Sequence, residues 1–356
     1  MFLFAIVAQT TMVLKVWGDL NAVIEILTTA DMPICVALMK FLVAWYYREV
    51  LKDLVKTMSD DWQSQYTNQD FEEMWQRAQF SRKLSIVCIG LAQGTITVQF
   101  LMVVVFDINN KGQIERPLYM TSYFPYDTQN SPNYEITWIA QCFSNIFAAG
   151  AFSAVDAFFV VLVLHLCGQL AILKRSLIEL TDDLQHKSIK LEFTRKLANI
   201  VERHEFLNRF AKTIEDSFNM MFLAQMITSS FALCLQGYQL IITSNEDKLP
   251  LLQLIHMIYF VCCFSFSLFS YCYVAEQLNY ESTEIHYAAY KSDWYNLCPK
   301  ETKLLLLLMH RARKPLEITA GKFCVFSLEL YCSILKTSGG YLSMLLAVRN
   351  RLVPAV

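Results

Sequence analysis

Apolar residues in this 356-residue chain come in long runs rather than in alternation. Seven runs approach or exceed the roughly 20 residues that a helix needs to cross a bilayer core. They are Met1 to Trp17, Ile24 to Tyr47, Leu84 to Phe106, Ile136 to Leu173, Ile214 to Ile242, Leu251 to Val274 and Phe323 to Val348. Inside lipid every backbone N–H and C=O must be satisfied within the segment, so runs of this length predict helices. A cleaved signal peptide competes for the first run. That run lacks a basic leader, and Lys15 stands where a small-residue cleavage site belongs, so a retained span is expected.

The pattern changes between the fourth and fifth runs. There apolar residues recur at Ile189, Phe193, Leu197, Ile200, Leu207 and Ala211, spaced mostly three and four apart, which predicts an amphipathic helix. Such a helix lies on the membrane surface or extends inward against another subunit. After the sixth run, Pro299, Lys300 and Glu301 make a helix start, followed by LLLLLMHRARKPLEITAG. The Leu304 to Met309 run is too short to span, and Pro315 with Thr319, Ala320 and Gly321 breaks the helix before the last run. The segment Asp107 to Tyr134 contains FPYDTQNSPNYE, dense in turn formers. It is expected either to form a lid over the bundle or to lie as an exposed loop.

The stretch Lys322 to Val348 would span about 40 Å as a helix. With residue 333 set at zero and about 100° per residue, Ser333, Lys336, Thr337, Gly340, Met344 and Ala347 fall within roughly one third of the circumference. The remainder is Phe, Leu, Val, Tyr and Ile. A membrane helix with one small, polar face turns that face to another helix or to water.

Composition supports this reading, with 55% hydrophobic and 17% charged residues. Ordinary globular chains carry about 25% charged residues. The expected fold is all-α, a seven-transmembrane helical bundle in a single membrane domain. Residues 1–279 would form a six-helix bundle with cytoplasmic extensions, 280–321 a cytoplasmic anchor, and 322–349 the last helix.

Basic residues are unevenly placed. Arg48, Lys52, Lys56, Arg77, Arg82 and Lys83 follow the second run, Lys174, Arg175, Arg195, Lys196, Arg203 and Arg209 the fourth, and Lys300, Lys303, Arg311, Arg313 and Lys314 the sixth. The alternate loops hold Lys111, Arg116 and Lys248. By the positive-inside rule the N-terminus is cytoplasmic and the C-terminus extracellular. The net charge of -2 implies no nucleic-acid partner.

Nearly all of the 11 cysteines fall inside the runs, Cys88, Cys167, Cys234, Cys262, Cys263, Cys324 and Cys332 among them, and read as small buried hydrophobes. The 6 histidines form no zinc spacing, and no phosphate loop, dinucleotide fingerprint or nucleophile elbow occurs. The chain is therefore not expected to be an enzyme, and no cofactor or metal is called for. Charges inside spans are costly and informative. Lys40 and Arg48 are expected to snorkel to the headgroups. Asp156 lies deeper, as part of a structural pair, in a hydrogen-bonded core role or in contact with a ligand. Glu276 is assigned to the cytoplasmic bundle.

Together, seven spans with the N-terminus inside, PYDTQNSPNYE before the fourth, RARKPLEITAG and SILKTSGGYLSMLL make a chain that resembles the insect odorant receptor family, as a divergent ligand-tuning subunit. The resemblance covers essentially the whole chain. It is most specific from Tyr280 through Trp294, Tyr295, Leu297 and Lys336 to Tyr341. Family members usually carry a cytoplasmic segment before the first span, whereas here Met1 almost opens it.

The resemblance implies an odorant-gated, non-selective cation channel in the plasma membrane of a sensory dendrite. Its partners would be membrane lipid and a co-receptor subunit in a heterotetramer. The last helix would line the pore, with the outer gate at Met344, Ala347 and Val348, and Lys336 would place a positive charge on the cation path. A small volatile organic ligand would bind in the outer half of the bundle. Candidate contacts there are Met32, Cys35, Val36, Phe100, Leu101, Val104, Trp138, Gln141, Asn145, Ala148, Ala149, Tyr259, Phe260 and Cys263, with Gln141 and Asn145 best placed to orient a ligand oxygen.

Two rival families share features. A G-protein-coupled receptor has the same span count but the opposite orientation, and neither a D-R-Y triplet nor an N-P-x-x-Y pattern is present. A gustatory receptor shares the topology, but its usual Thr-Tyr signature stands here as Gly340-Tyr341.

Overall fold

A computed structural model describes residues 2–64, 67–109, 116–186, 190–244, 251–292 and 294–352. Met1, Lys111, Ile189 and Lys248 of the sequence reading lie outside them. The helices are α1 (Phe2–Lys15), α2 (Leu20–Ile26), α3 (Met32–Tyr46), α4 (Arg48–Gln63), α5 (Asn68–Asn109), α6 (Asn133–His186), α7 (Lys190–Ser244), α8 (Leu251–Lys291), α9 (Pro299–Ala312) and α10 (Leu328–Leu352). Among the described residues, α5 to α8 are long and apolar enough to cross a membrane, while α1 and α3 are shorter apolar helices. A π-helical turn, Leu27–Asp31, joins α2 to α3 just before Pro33, so the second run is one span in two pieces.

The long helices exceed the bilayer. At 54 residues, α6 reaches about 80 Å against a core of about 30 Å. It is the central post: Val160, Leu162, Val163, Leu166, Cys167 and Leu170 are fully buried, on a stretch whose polar side chains, His165 and Gln169, are buried too. The amphipathic stretch after the fourth run is no separate surface helix. It is the inner end of α7, and Phe193, Leu197, Ile200, Leu207 and Ala211 are buried in the chain's own core.

Ionic contacts fasten this inner half. Asp61 of α4 accepts from Arg203 at 2.6 Å and pairs with His165 at 2.9 Å, and Arg203 also reaches Gln169 at 2.7 Å. Burial alone would raise the Asp61 carboxyl, but hydrogen bonds from His165 and Arg203, together with their charges, hold it below its ordinary value. Glu281 of α8 takes Arg77 of α5 and, at 3.5 Å, Lys174 of α6.

Three expectations are corrected. Lys40 does not snorkel; it is 0% exposed and pairs with Asp156 at 2.5 Å. Ile34, Ala37 and Lys40 recur at a three-residue spacing on the bundle-facing side of α3, and this rotation keeps the ammonium from the headgroups. The last helix opens at Leu328 rather than Lys322, because the preceding residues form a hairpin: Thr319 pairs with Val325 and Ala320 with Cys324. Cys262 and Cys332 are exposed on the single chain, and Cys324 belongs to the hairpin.

The hairpin turns through Gly321, Lys322 and Phe323; Gly321 and Lys322, with φ of 58° and 64°, are the left-handed central pair of a turn that the Phe323 N–H closes on the Ala320 carbonyl at 3.0 Å. The Gly321 N–H donates to the Asn219 carbonyl at 2.8 Å, and a Cβ on Gly321 would sit 2.6 Å from Leu223 Cδ2. The turn is thus pressed onto α7. Beyond it, buried Phe326 packs on Phe222 and Tyr271, at centroid distances of 5.3 Å and 6.2 Å. Leu328 N–H then donates to Glu276 Oε2 at 3.3 Å, so a carboxylate from α8 caps the start of α10.

Candidate functional site

In the outer half, α3, α5, α6 and α8 splay around a cavity of about 80 Å³. Five of the predicted contacts line it: Asn145, Ala148 and Ala149 from α6, and Phe260 and Cys263 from α8. Phe152, His256, Phe264, Thr95 and Gln99 complete much of the wall without having been singled out in the sequence. Their helical phase was the available signal: Phe152 follows Asn145 and Ala148 by seven and four positions, and His256 precedes Phe260 by four.

Part of the loop ahead of α6 covers the cavity: Tyr119 and Met120 line it, while most of FPYDTQNSPNYE is exposed. Tyr119 is 1% exposed, its hydroxyl meets the Ile96 carbonyl at 3.4 Å, and its own carbonyl accepts from Gln99 at 3.3 Å. Burial, with a smaller contribution from Cys142, pushes the Tyr119 phenol up. Met120 is held by Gln141, whose carboxamide accepts from the Met120 N–H at 3.3 Å and donates to its carbonyl at 3.0 Å. Tyr119 and Met120 were missed because they lie in a loop, where no periodicity marks an inward face.

The remaining predicted contacts stand elsewhere. Gln141 latches the lid and does not line the cavity. Trp138 packs edge-on against Tyr119 at 5.8 Å, and with Val104 it lines a separate outer groove. Phe100 and Leu101 are exposed, as is Cys35. Tyr259 reaches across to the Gly90 carbonyl at 3.4 Å. Met32 and Val36 flank the lining residues Pro33 and Ile34 without joining them. Helix rotation explains these misses, because a 3.6-residue period places only some of any four consecutive residues toward one neighbour.

On α10 the polar stripe keeps to one face. Ser333, Lys336, Thr337, Gly340, Met344, Ala347 and Val348 are all exposed on the single chain. The opposite face is occupied: Ile334 and Ser338 are buried, the Ser338 hydroxyl donates to the Ser230 carbonyl at 3.3 Å, and Leu342 packs against Gly237.

This arrangement defines a multi-pass helical membrane protein with a lidded apolar cavity and one helix whose polar face its own chain leaves bare. Residues 22–339 match the family described as the 7tm Odorant receptor. The chain belongs to that family. It is 27% identical to Odorant receptor 13a of Drosophila melanogaster over 258 residues, 68% of this chain and 59% of that protein. Odorant receptor 22c of the same species matches at 25% over 60% of this chain and 53% of that protein, so the alignments span less than two thirds of both relatives. The Odorant receptor coreceptor of Anopheles gambiae is 27% identical over 42% of this chain and 30% of its own length.

Among solved structures, that of the insect olfactory receptor OR5 from Machilis hrabei in complex with eugenol superposes with a TM-score of 0.82. The sequences are 15% identical, with 98% of this chain and 87% of that chain covered. The family implies seven spans, a number that α1, the α2–α3 pair, α5 to α8 and α10 would make up. Membership in an odorant receptor family sets aside the gustatory and G-protein-coupled readings and that of an enzyme.

Proposed function

We propose that this chain is the ligand-tuning subunit of an odorant-gated, non-selective cation channel in the plasma membrane. One observation carries the reading: the polar stripe of α10, Ser333, Lys336, Thr337, Gly340, Met344, Ala347 and Val348, is left uncovered by its own subunit, in a bundle that holds an apolar cavity between α3, α5, α6 and α8. In a tetramer that face would meet water along a shared axis, with Met344, Ala347 and Val348 as the outer gate. Leu306, Leu307, Tyr287 and Phe323 form exposed apolar surface at the inner end that would be covered by neighbouring subunits, including the co-receptor.

The cavity of about 80 Å³ is smaller than the roughly 300–1,000 Å³ of typical small-molecule sites. A volatile of OR5's eugenol size would therefore bind an expanded state, with Met120 and Phe152 displaced. Binding shifts the population only by the ligand's differential affinity for the expanded and closed states. The link to the gate would run through Tyr271 and Phe326 to the capped start of α10. Co-expression with the co-receptor and recording of odorant-evoked current tests this reading. Silence across a broad odorant panel, with assembly at the surface verified, would overturn it.

A further inference from the structure

The wall of the outer cavity carries a hydrogen-bonding group that no other group among the described residues pairs. His256 is 7% exposed and lines the cavity, and its ring lies 6.3 Å from that of Phe260, yet among the described residues neither nitrogen has a hydrogen-bond partner. The imidazole nitrogens are not sealed in protein: His256 lines the cavity, and a group that enters it can reach and pair them. The other polar wall residues have largely spent their donors within the protein. The Thr95 hydroxyl donates to the Ala92 carbonyl at 2.7 Å. The Asn145 amide donates to the Gln141 carbonyl at 2.9 Å and to Met120 Sδ at 3.2 Å. One Gln99 N–H is taken by the Tyr119 carbonyl at 3.3 Å. What remains is mostly acceptor: Asn145 Oδ1, Gln99 Oε1 and a lone pair on Thr95.

We infer that His256 is the specificity-determining residue of this cavity and that the ligand class is a compact alcohol, whose hydroxyl both donates and accepts. The inference rests on the receptor reading above and names the ligand that the same site selects. A neutral imidazole offers one N–H and one lone pair, and with no partner fixing the tautomer it serves an alcohol in either sense. An ether or a carbonyl compound only accepts, so it leaves the acceptors facing it unpaired. A hydrocarbon leaves everything unpaired. Phe152, Phe260, Phe264 and Tyr119 add aromatic surface, which favours an aryl skeleton.

The test uses four probes on one skeleton: benzyl alcohol, benzaldehyde, benzyl methyl ether and toluene. Two readouts are taken on the full chain, ligand-induced thermal stabilisation of the purified protein and evoked current in cells co-expressing the co-receptor. The alcohol is expected to act at concentrations about tenfold below the other three, the ratio set by one well-made buried hydrogen bond. His256→Phe should bring all four within about twofold while toluene binding persists. His256→Gln, which retains a donor and an acceptor, should keep the preference for the alcohol and covers the case in which the Phe variant fails to fold. Equal response to all four in the native protein, response to none, or an unchanged ratio in His256→Phe would overturn the inference. Selective stabilisation by the alcohol without any current would overturn the channel reading alone. Current evoked by a broad panel with no preference for hydroxyl compounds would overturn the inference alone.

Discussion

Lys40 holds its ammonium 3.3 Å from the centroid of the Phe152 ring, and Phe152 is itself part of the cavity wall. The same ammonium pairs with Asp156 and donates to the Tyr271 hydroxyl at 3.0 Å, while Tyr271 donates to Asp156 and Ser267 donates to it at 3.1 Å. One cation thus joins α3, α6 and α8 immediately behind the cavity. If ligand entry displaces Phe152, a buried charge loses a cation–π partner, and Tyr271 lies against Phe326 at the approach to α10.

Removing one partner of this pair strands the other in an apolar core. Lys40→Met or Asp156→Leu alone should each cost on the order of 3–5 kcal/mol. The double variant should cost clearly less than their sum. Thermal unfolding of the purified protein in a double-mutant cycle reads the coupling, and strict additivity would mean that the pair does not interact.

Gln141 fastens the lid through both the N–H and the carbonyl of Met120. Gln141→Leu removes these two hydrogen bonds and a third, donated to the Ser122 hydroxyl at 3.1 Å, of about 1 kcal/mol each, so ligand escape should quicken by roughly tenfold or more. Current decay after odorant washout measures it; an unchanged decay rate would show that the lid does not limit escape.

Gly321 occupies a left-handed turn with Leu223 pressed against it. A β-branched side chain is disfavoured there by about 1–2 kcal/mol from backbone conformation alone, before the clash with α7. Gly321→Val should lower the unfolding temperature and reduce evoked current per receptor at the surface. Gly321→Asn should be milder, since Asn tolerates positive φ.

Burial, reinforced by Arg311 and partly opposed by Glu205, pushes the His204 imidazole below its ordinary value of 6.5. The unfolded chain therefore takes up a proton first as pH falls. The associated stability is fully present above 6.5 and is lost as the pH drops through the lower folded value. His204→Gln should flatten the dependence of unfolding temperature on pH on the acid side of 6.5. An unaltered slope would place the pH sensitivity on other groups.

Lys336 and Ala347 lie on the bare face of α10. Lys336→Glu should raise cation conductance and change rectification, and Ala347→Trp should block or reduce single-channel current. Unchanged permeation in both would argue that this face meets a protein or lipid neighbour rather than a pore.

Several features were readable from the chain alone because they depend on local repetition. Apolar runs of membrane length, the 3.6-residue recurrence from Phe193 to Ala211 and the stripe from Ser333 to Ala347 are properties of successive residues, and each reappears in α5 to α8 or α10. The interruption after Pro315 was visible too, although strands of 2 residues carry no pattern that would distinguish a hairpin from a loop.

Tertiary structure decided the rest, since facing depends on neighbours. Lys40 reads as a snorkelling cation until the rotation of α3 and the position of Asp156, 116 residues away, put both in one buried pair. Phe260 and Cys263 reach the cavity while Phe100 and Cys35 are exposed, although the two pairs carry the same side chains. Tyr119 and Met120 close the site only because the chain turns back over α6. Hydrophobicity and period are written into the sequence at short range. The choice of which face is inward, and of which distant charge or donor answers it, is made when the helices pack.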